Sequence, residues 1–363
     1  MTIALLITVL LLAASNGAND NFKGVAALYG SRTVTYRVGL GWASITTLAG
    51  SLCSVWLAQA LLTTFTGAGL VTADIAAQTA FALTVALGAA ITIVIATWRG
   101  LPVSTTHALL GAMVGAGWVA VGTNLHFAAL GKVFLLPLLV SPIIAIVPAW
   151  LIAPLLRRWV AGHQRRRTEC LCIERNALVT PEGLMSRESL VLHRGTLAEC
   201  VERVEPALLR VRGFSMVDAL HFLLAGAVGF ARGLNDTPKI AALLLPIALL
   251  DRHTAVAAVA AAMLVGGVLG ARRVARTMSD KITTLDMGAG LAASLTTALL
   301  VGTASFNGLP VSTTHVSVGA LAGAGASGQG RVDRKVMKGI VWSWVVTLPI
   351  AAVFGALIYG WIR

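Results

Sequence analysis

An eight-residue segment occurs twice in this chain. Residues 100–107 and residues 308–315 both read Gly-Leu-Pro-Val-Ser-Thr-Thr-His, 208 positions apart. A second repeated segment precedes each copy: residues 19–23 begin with Asn-Asp and end in Lys, and so do residues 235–239, 216 positions later. Two matches in the same order at nearly the same offset indicate a duplicated unit. We therefore expect two structurally equivalent halves.

The rest of the chain is strongly apolar. Of its 363 residues 57% are hydrophobic and 12% are charged, with a mean hydropathy of +0.83, whereas soluble domains have about 25% charged residues. Apolar runs long enough to cross a hydrocarbon core of about 30 Å recur throughout, which predicts an all-α polytopic membrane protein. The expected spans are 2–30, 38–63, 75–98, 103–124, 132–156, 214–248, 254–271, 285–306, 311–328 and 339–362.

The placement of basic residues predicts an orientation. The formal net charge is +13, and the basic residues concentrate in alternate connections, above all in residues 157–212 and 272–281. By the positive-inside rule, both termini should lie outside the cell and residues 157–212 in the cytoplasm. This distribution argues against nucleic-acid binding. The N-terminus has no basic region, which indicates a first membrane helix rather than a cleaved signal.

The expected spans divide equally between the two halves, five in each. An odd number of crossings makes the copies inverted relative to one another. We therefore predict a first transmembrane repeat at 1–156, a cytoplasmic linker segment at 157–212 and a second transmembrane repeat at 213–363. Helices that are broken or re-entrant at the repeated polar segments would meet at a site near the bilayer midplane. If each Pro-Val-Ser-Thr-Thr segment instead turns back as a re-entrant hairpin, two spans in each half no longer cross the membrane. The number of crossings in each half stays odd, so the halves remain inverted.

The Asn-Asp segments place charges inside apolar sequence. A charged group at membrane depth costs at least about 2.5–3.5 kcal/mol, so these groups should face a cavity and one another. Each Asp has a Lys three residues later, close enough to pair on one helix face. The alternative is an internal ion pair that only stabilises a helix break. The candidate site residues here are Asn19, Asp20, Lys23, Asn235, Asp236 and Lys239.

The eight-residue segments have the character of an anion site. Pro102 and Pro310 interrupt a helix, and the serine two residues after each proline is a natural N-cap. The threonines that follow place hydroxyls and unpaired backbone N–H groups at the positive end of a helix dipole. Two such helix starts, arriving from opposite sides, could hold one tetrahedral oxyanion. The candidate site residues here are Ser104, Thr105, Thr106, Ser312, Thr313 and Thr314.

His107 and His315 end the eight-residue segments. A Ser or Thr activated by the neighbouring imidazole would make an intramembrane hydrolase. However, no carboxylate follows to orient the ring, and duplicated half-sites fit one shared binding site better than two active sites. We therefore expect no enzymatic activity and favour structural histidines. A proton-carrying role is the other alternative, because imidazole titrates near pH ~6.5.

These segments resemble the signatures of the PiT family of inorganic phosphate transporters, which includes mammalian retroviral-receptor phosphate carriers. That family has a Gly-Ala-Asn-Asp-Val-Ala-Asn-Ala-like segment in each half, here residues 17–24 and 234–241. It also has a Pro-(Val/Ile)-Ser-Thr-Thr-His-like segment in each half, here 102–107 and 310–315. The resemblance implies a secondary transporter that moves phosphate by alternating access. It also implies that the Asn-Asp and Ser-Thr-Thr positions coordinate phosphate and the accompanying cations.

Two departures from the family pattern bear on the coupling ion. Lys23 and Lys239 stand where the family has Asn, and residues 292–295 lack the Glu that members commonly carry there. In sodium-coupled relatives Na⁺ admits phosphate to a carboxylate-rich core, which makes Asp20 and Asp236 candidate sodium ligands. A lysine ammonium can instead bind phosphate or sulfate directly. The coupling ion is thus open between sodium and proton, and sulfate or another tetrahedral oxyanion is the alternative substrate.

The remaining expectations concern function class and partners. An anion channel is disfavoured, because two Asp/Lys pairs would block a central pore. No nucleotide-binding loop of the Gly-x₄-Gly-Lys-Ser/Thr kind is present, so ATP does not drive the protein directly. We expect no cofactor. The expected partners are inorganic phosphate or sulfate, membrane lipid and a second copy of the chain in a homodimer.

The linker segment 157–212 differs in composition from the rest. It contains all of the glutamates, and its apolar positions suffice for a small strand or helix pair. Residues 181–183 have the composition of a turn. Cys170, Cys172, His193 and Cys200 could be drawn as a metal site, but Cys-x-Cys is not the usual zinc spacing. We favour free, reduced cytosolic thiols.

Overall fold

The computed structural model describes residues 1–31, 33–67, 69–164, 169–179, 185–196, 209–212, 216–282, 285–328 and 332–363. The chain divides into two compact units. The larger unit comprises residues 1–156 and 221–363, and the smaller comprises residues 157–220. The expected division of the larger unit into two inverted repeats stays a prediction.

The larger unit is helical, as predicted. The α-helices of the described residues are α1 (Thr2–Asp20), α2 (Ala26–Gly30), α3 (Tyr36–Leu57), α4 (Gln59–Thr64), α5 (Ala73–Ala76), α6 (Thr79–Trp98), α7 (Thr105–Val121), α8 (Phe127–Ala129), α9 (Leu136–Gln164), α10 (Met216–Ala241), α11 (Arg252–Gly270), α12 (Arg272–Arg276), α13 (Met287–Phe306), α14 (Thr313–Ala326) and α15 (Arg334–Ile362). Helical turns of 3₁₀ type lie at Asn21–Val25, Gly122–Asn124 and Ala242–Leu244, and π-helical turns at Leu130–Leu135 and Thr277–Lys281.

Among the described residues, nine helical segments are long and apolar enough to cross a membrane. They match nine of the ten expected spans. The expectation of a full span at 311–328 is wrong, because α14 has only 14 residues. At 1.5 Å per residue it is about 21 Å long, short of the roughly 30 Å hydrocarbon core. Pro310 and the cap at Ser312 delay its start, and a helix of this length fits the re-entrant alternative.

The Asn-Asp segments are built differently in the two halves. In the first half, α1 ends at Asp20 and a 3₁₀ turn follows at Asn21–Val25. In the second half, α10 continues through Pro238 and changes to a 3₁₀ turn only at Ala242–Leu244. The break expected at each segment is therefore confirmed in the first half and displaced downstream in the second.

Glycines let the helices around the polar segments approach one another closely. A Cβ atom added at Gly115 of α7 would lie 1.9 Å from the carbonyl oxygen of Ala352 in α15. Similarly, a Cβ at Gly17 of α1 would lie 2.0 Å from the carbonyl oxygen of Met263 in α11. Both contacts require glycine, as expected for tight packing between membrane helices.

The outer helices expose aliphatic and aromatic side chains. On α9, Leu139 is 67% and Ile143 62% exposed, and on α15 Trp342 is 68% and Leu357 66% exposed. Such surfaces are expected where helices face lipid. By contrast, the polar segments lie inside the helical unit, surrounded by buried apolar side chains of α1, α6, α7 and α11.

The smaller unit contains a three-stranded antiparallel sheet in the order β2-β1-β3. Its strands are β1 (Glu169–Val179), β2 (Met185–Thr196) and β3 (Leu209–Arg212). Of the two structures that the sequence allowed for this segment, strands or a helix pair, it therefore forms strands. The expected turn at 181–183 and Cys200 lie outside the described residues. Cys172 is opposite His193 in the register of β1 and β2, but the side chains of the hypothesised metal site are not among those described.

Candidate functional site

All the site residues predicted from the sequence are buried in the larger unit, and each is at most 5% exposed. They come from α1 and its following turn, from α10, and from the starts of α7 and α14. The Asn-Asp segments therefore meet the eight-residue segments although more than 70 residues separate them in each half. The sequence predicted this convergence correctly.

The two eight-residue segments have the same backbone conformation. Gly100 and Gly308 both adopt positive φ angles, +69° and +71°, which glycine tolerates at no steric cost. Ser104 and Ser312 then serve as N-caps with nearly identical backbone angles. Each serine Oγ accepts a bond of 3.2 Å from the backbone N–H of the histidine three residues later. The repeated sequence thus produces a repeated local structure.

The Lys23 ammonium is surrounded by oxygen atoms. Its Nζ contacts Asp20 Oδ1, and it donates to Asn19 Oδ1 and to the carbonyl oxygen of Val103, both at 3.1 Å. It also donates at 2.5 Å to Thr314 Oγ1, in the eight-residue segment of the other half. One lysine therefore connects its own half to the opposite half.

The Lys239 ammonium has the equivalent partners. It contacts Asn235 Oδ1, donates at 2.8 Å to the carbonyl oxygen of Val311, and lies 3.8 Å from Asp236 Oδ1. It also donates at 2.9 Å to Thr106 Oγ1 in the first half. Each partner corresponds to a partner of Lys23 at the repeat offset, and the hydroxyl again comes from the other half.

The amide groups of the two asparagines repeat the pattern. Asn19 Nδ2 donates at 2.9 Å to Thr97 Oγ1, at the end of α6. Asn235 Nδ2 donates at 2.8 Å to Ser305 Oγ, at the end of α13. Thr97 and Ser305 are 208 positions apart, the offset of the eight-residue segments. Duplication therefore extends to a hydroxyl that the sequence analysis did not single out.

Arg232 is a buried residue of the candidate site that the sequence analysis did not single out. It is only 1% exposed. Its guanidinium donates to Asn16 Oδ1 at 3.0 Å and to Asn21 Oδ1 at 3.2 Å, and its Nε lies 3.7 Å from Asp236 Oδ2. Arg232 lies 216 positions after Asn16, the offset that relates the two Asn-Asp segments. A comparison of the halves at this offset could have identified it.

Two spaces adjoin this network. Lys23 and Arg232 line a narrow internal void together with Thr297, Thr313 and Ser317. A larger cavity of about 850 Å³, here called the basic cavity, is lined by Ser15, Ala18, Thr97, Arg99, Gly100, Arg272, Arg273, Arg276, Thr277 and Lys281, among others. Thr97 also accepts the bond from Asn19, so a single hydrogen bond links the lining of the basic cavity to a candidate site residue.

The two histidines pack against each other. The ring centroids of His107 and His315 are 4.6 Å apart, and His315 also lies against Trp344, with centroids 3.9 Å apart. His315 Nδ1 is 3.0 Å from the carbonyl oxygen of Leu138. These contacts tie α7, α14, α9 and α15 together, which fits the favoured structural role.

The amino-acid sequence of this chain is similar to those of known proteins. A profile of the phosphate transporter family matches residues 16–355. The chain belongs to that family. A Pyrococcus abyssi protein provisionally named a phosphate permease is 31% identical over 309 residues, 75% of this chain and 76% of that protein. A Rhizobium meliloti protein provisionally named a low-affinity inorganic phosphate transporter is 30% identical over 357 residues, 95% of this chain and 91% of that protein.

The fold of this phosphate transporter family member also has a solved counterpart. A structure of a sodium-dependent phosphate transporter matches it with a TM-score of 0.75, covering 99% of this chain and 98% of that chain at 23% identity. The family resemblance read from the sequence is therefore confirmed. The chain is a multi-pass membrane protein that transports phosphate.

Proposed function

We propose that this phosphate transporter binds its substrate where α7 and α14 begin and moves it across the cell membrane by alternating access of two inverted halves. The observation that carries this proposal is the matched pair of hydrogen-bond networks around Lys23 and Lys239. Each network uses a hydroxyl from the opposite half. Two half-sites that complete each other form one shared site, and relative movement of the halves would open it.

The helix starts supply donors for an anion. In α14 the first intrahelical bond runs from Val316 N to the carbonyl oxygen of Ser312, at 3.1 Å. The amides of Thr313 and Thr314 precede that bond, so they have no acceptor within the helix. The positive end of the helix dipole adds to their attraction for an anion. The start of α7 has the same geometry.

The internal void is lined by groups of the kind that bind an oxyanion, but it is too narrow for a water-sized molecule, so an anion could enter only after it widens. Lys23 and Arg232 provide positive charge, and Thr297, Thr313 and Ser317 provide hydroxyls. Ser317 Oγ is buried and has no hydrogen-bond partner among the described residues. Because the void reaches Thr313, it adjoins the start of α14. These groups are the donors that a tetrahedral anion uses.

The basic cavity supports a route on one side of the membrane. It presents five cationic side chains, which raise the local concentration of anions, and it reaches Thr97 beside Asn19. The positive-inside rule places its arginines on the cytoplasmic side. If α6–α7 and α13–α14 each turn back as a re-entrant hairpin, about six crossings remain, and both termini then lie outside. Labelling of an introduced residue-66 cysteine, but not of cysteines in 157–212, by an impermeant reagent on intact cells would test this orientation.

The serine geometry supports transport rather than hydrolysis. Ser104 and Ser312 accept bonds from the backbone N–H groups of the histidines, so each serine is a helix cap. Among the described residues, His107 Nδ1 and His315 Nε2 have no hydrogen-bond partner, and His315 Nδ1 contacts the carbonyl oxygen of Leu138, so none of these ring nitrogens is paired with a serine. A nucleophilic serine would need the ring nitrogen as a base. A channel is disfavoured because the charged pairs and cross-half bonds close the centre.

Phosphate uptake into proteoliposomes tests this function. The double variant Ser104→Ala/Ser312→Ala should reduce radiolabelled phosphate uptake by about tenfold or more, because losing an N-cap costs about 1 kcal/mol at each helix start. Unlabelled sulfate in excess distinguishes a phosphate carrier, whose uptake it leaves intact, from a general oxyanion carrier.

Ser343→Ala is the matched control. Among the described residues, the partner of Ser343 Oγ is the carbonyl oxygen of Ile340 in the preceding turn of its own helix, so this variant should transport like the wild type. Normal uptake by the Ser104→Ala/Ser312→Ala protein, with wild-type thermal stability in detergent, would refute the site assignment.

A further inference from the structure

The most distinctive feature of the site is that each lysine ammonium is held like a bound metal cation. Around Lys23 the partners are a carboxylate, a side-chain amide oxygen, a backbone carbonyl and a threonine hydroxyl. All are oxygen atoms, the ligands that hard cations take in proteins. In membrane transporters, backbone carbonyls freed at helix breaks are typical ligands of coupling cations.

We propose that Lys23 and Lys239 are resident counter-cations that fill the two cation positions of the site, so that phosphate is transported without bound sodium. The inference rests on the proposed phosphate site and specifies how that site is neutralised. It assigns Asp20 and Asp236 to the two ammonium groups rather than to sodium ions.

Duplication argues against a chance arrangement. Lys239 reproduces the set with Asn235, Asp236, the carbonyl of Val311 and the hydroxyl of Thr106. A salt bridge that only stabilised a helix break would need no carbonyl or hydroxyl from elsewhere. Moreover, the α10 helix is not broken at Asp236, and yet the same four kinds of oxygen surround Lys239.

The charges of the buried cluster support the same conclusion. Two carboxylates, Asp20 and Asp236, lie with three cations: Lys23, Lys239 and Arg232. The cluster thus has one positive charge in excess before any ion binds. With Asn at both lysine positions it would have one negative charge in excess, and a phosphate dianion would then require cations from solution. The lysines remove that requirement.

The cross-half bonds give the lysines a role in substrate binding. Lys23 donates to Thr314 and Lys239 donates to Thr106, which are residues of the proposed anion site. An arriving phosphate competes with those hydroxyls for the ammonium protons. Binding would therefore replace a lysine–threonine contact by a lysine–phosphate contact, without any free cation.

Sodium dependence of uptake tests the inference directly. In proteoliposomes the wild type should take up phosphate equally well, within about twofold, whether the medium contains sodium or N-methylglucamine, since an ion that does not bind shifts no equilibrium. Lys23→Asn and Lys239→Asn should each lose most uptake in sodium-free medium, and sodium should restore part of it. Lys23→Met, which supplies neither charge nor a polar ligand, should stay inactive in both media. The exposed Lys338→Asn is the control and should behave like the wild type.

Thermal melting in detergent supplies a second reading that does not depend on transport. Sodium should raise the melting temperature of the Asn variants but not that of the wild type. Steep sodium activation of wild-type uptake, a sodium-dependent rise in the wild-type melting temperature, or normal sodium-free uptake by both Asn variants would overturn the inference. If the wild type takes up no phosphate in either medium, the proposed function fails, and the melting curves still decide whether the lysines fill the cation positions.

Discussion

Individual residues of the site are constrained by their charge partners. Asp236 lies between two cations, with Lys239 Nζ 3.8 Å from its Oδ1 and Arg232 Nε 3.7 Å from its Oδ2. Arg232 also donates to Asn16 and Asn21 of the first half. Since all of these groups are buried, removing Arg232 takes one of two cations from Asp236 and a donor from each of the two asparagines. Arg232 should therefore contribute to the stability of the folded protein as well as to the binding of an anion.

Arg232→Met should lower the stability of the purified protein by about 3–5 kcal/mol, because it leaves a buried carboxylate with one cation fewer. Thermal melting in detergent measures this change. Arg252→Met, at the exposed start of α11, is the control. If Arg232→Met melts at the wild-type temperature, Arg232 does not compensate Asp236.

At the scale of elements, the helices depend on close approach more than on large apolar side chains. α7 packs along α15, and Gly111 and Gly115 of α7 face backbone carbonyls of α15 at Leu348 and Ala352. The same helix begins at the Ser104 cap. The α7–α15 contact therefore positions one of the two proposed anion-binding helix starts.

Gly115→Ala should destabilise the protein by about 1–3 kcal/mol, the usual cost of overpacking, because its Cβ would lie 1.9 Å from the Ala352 carbonyl oxygen. Phosphate affinity should fall as α7 shifts. Gly41→Ala is the matched control, since a Cβ there has no atom within 4 Å. Equal melting temperatures for the two variants would contradict the packing account.

The sequence predicted which residues meet at the candidate site and nine of the ten spans, but it did not predict every local break. Exact repetition located the serine caps and threonines, because identical sequence in an apolar setting folds identically. It did not locate Arg232, whose counterpart is Asn16, because the two differ in charge and only the offset relates them. The sequence also overestimated the length of α14. The apolar composition extends beyond the helix, which Pro310 limits at its start and the turn at Ser327 limits at its end. Composition reports hydrophobicity, whereas helix length depends on local caps and breaks.

At the scale of the whole molecule, the Asn-Asp segment of each half forms a hydrogen bond with the eight-residue segment of the other half. Lys23 reaches the second half and Lys239 reaches the first, so neither half completes the proposed site alone. The basic cavity adjoins this centre through Thr97. Together these features support a transporter whose halves move relative to each other around one shared anion site.

An experimental structure of the full chain with phosphate present tests this shared site most directly. The account predicts tetrahedral density between residues 104–106 and 312–314, within hydrogen-bond distance of Lys23 or Lys239, and no sodium-like density against Asp20 or Asp236. Phosphate density confined to the basic cavity, or density in the centre that contacts only one of the two eight-residue segments, would contradict it.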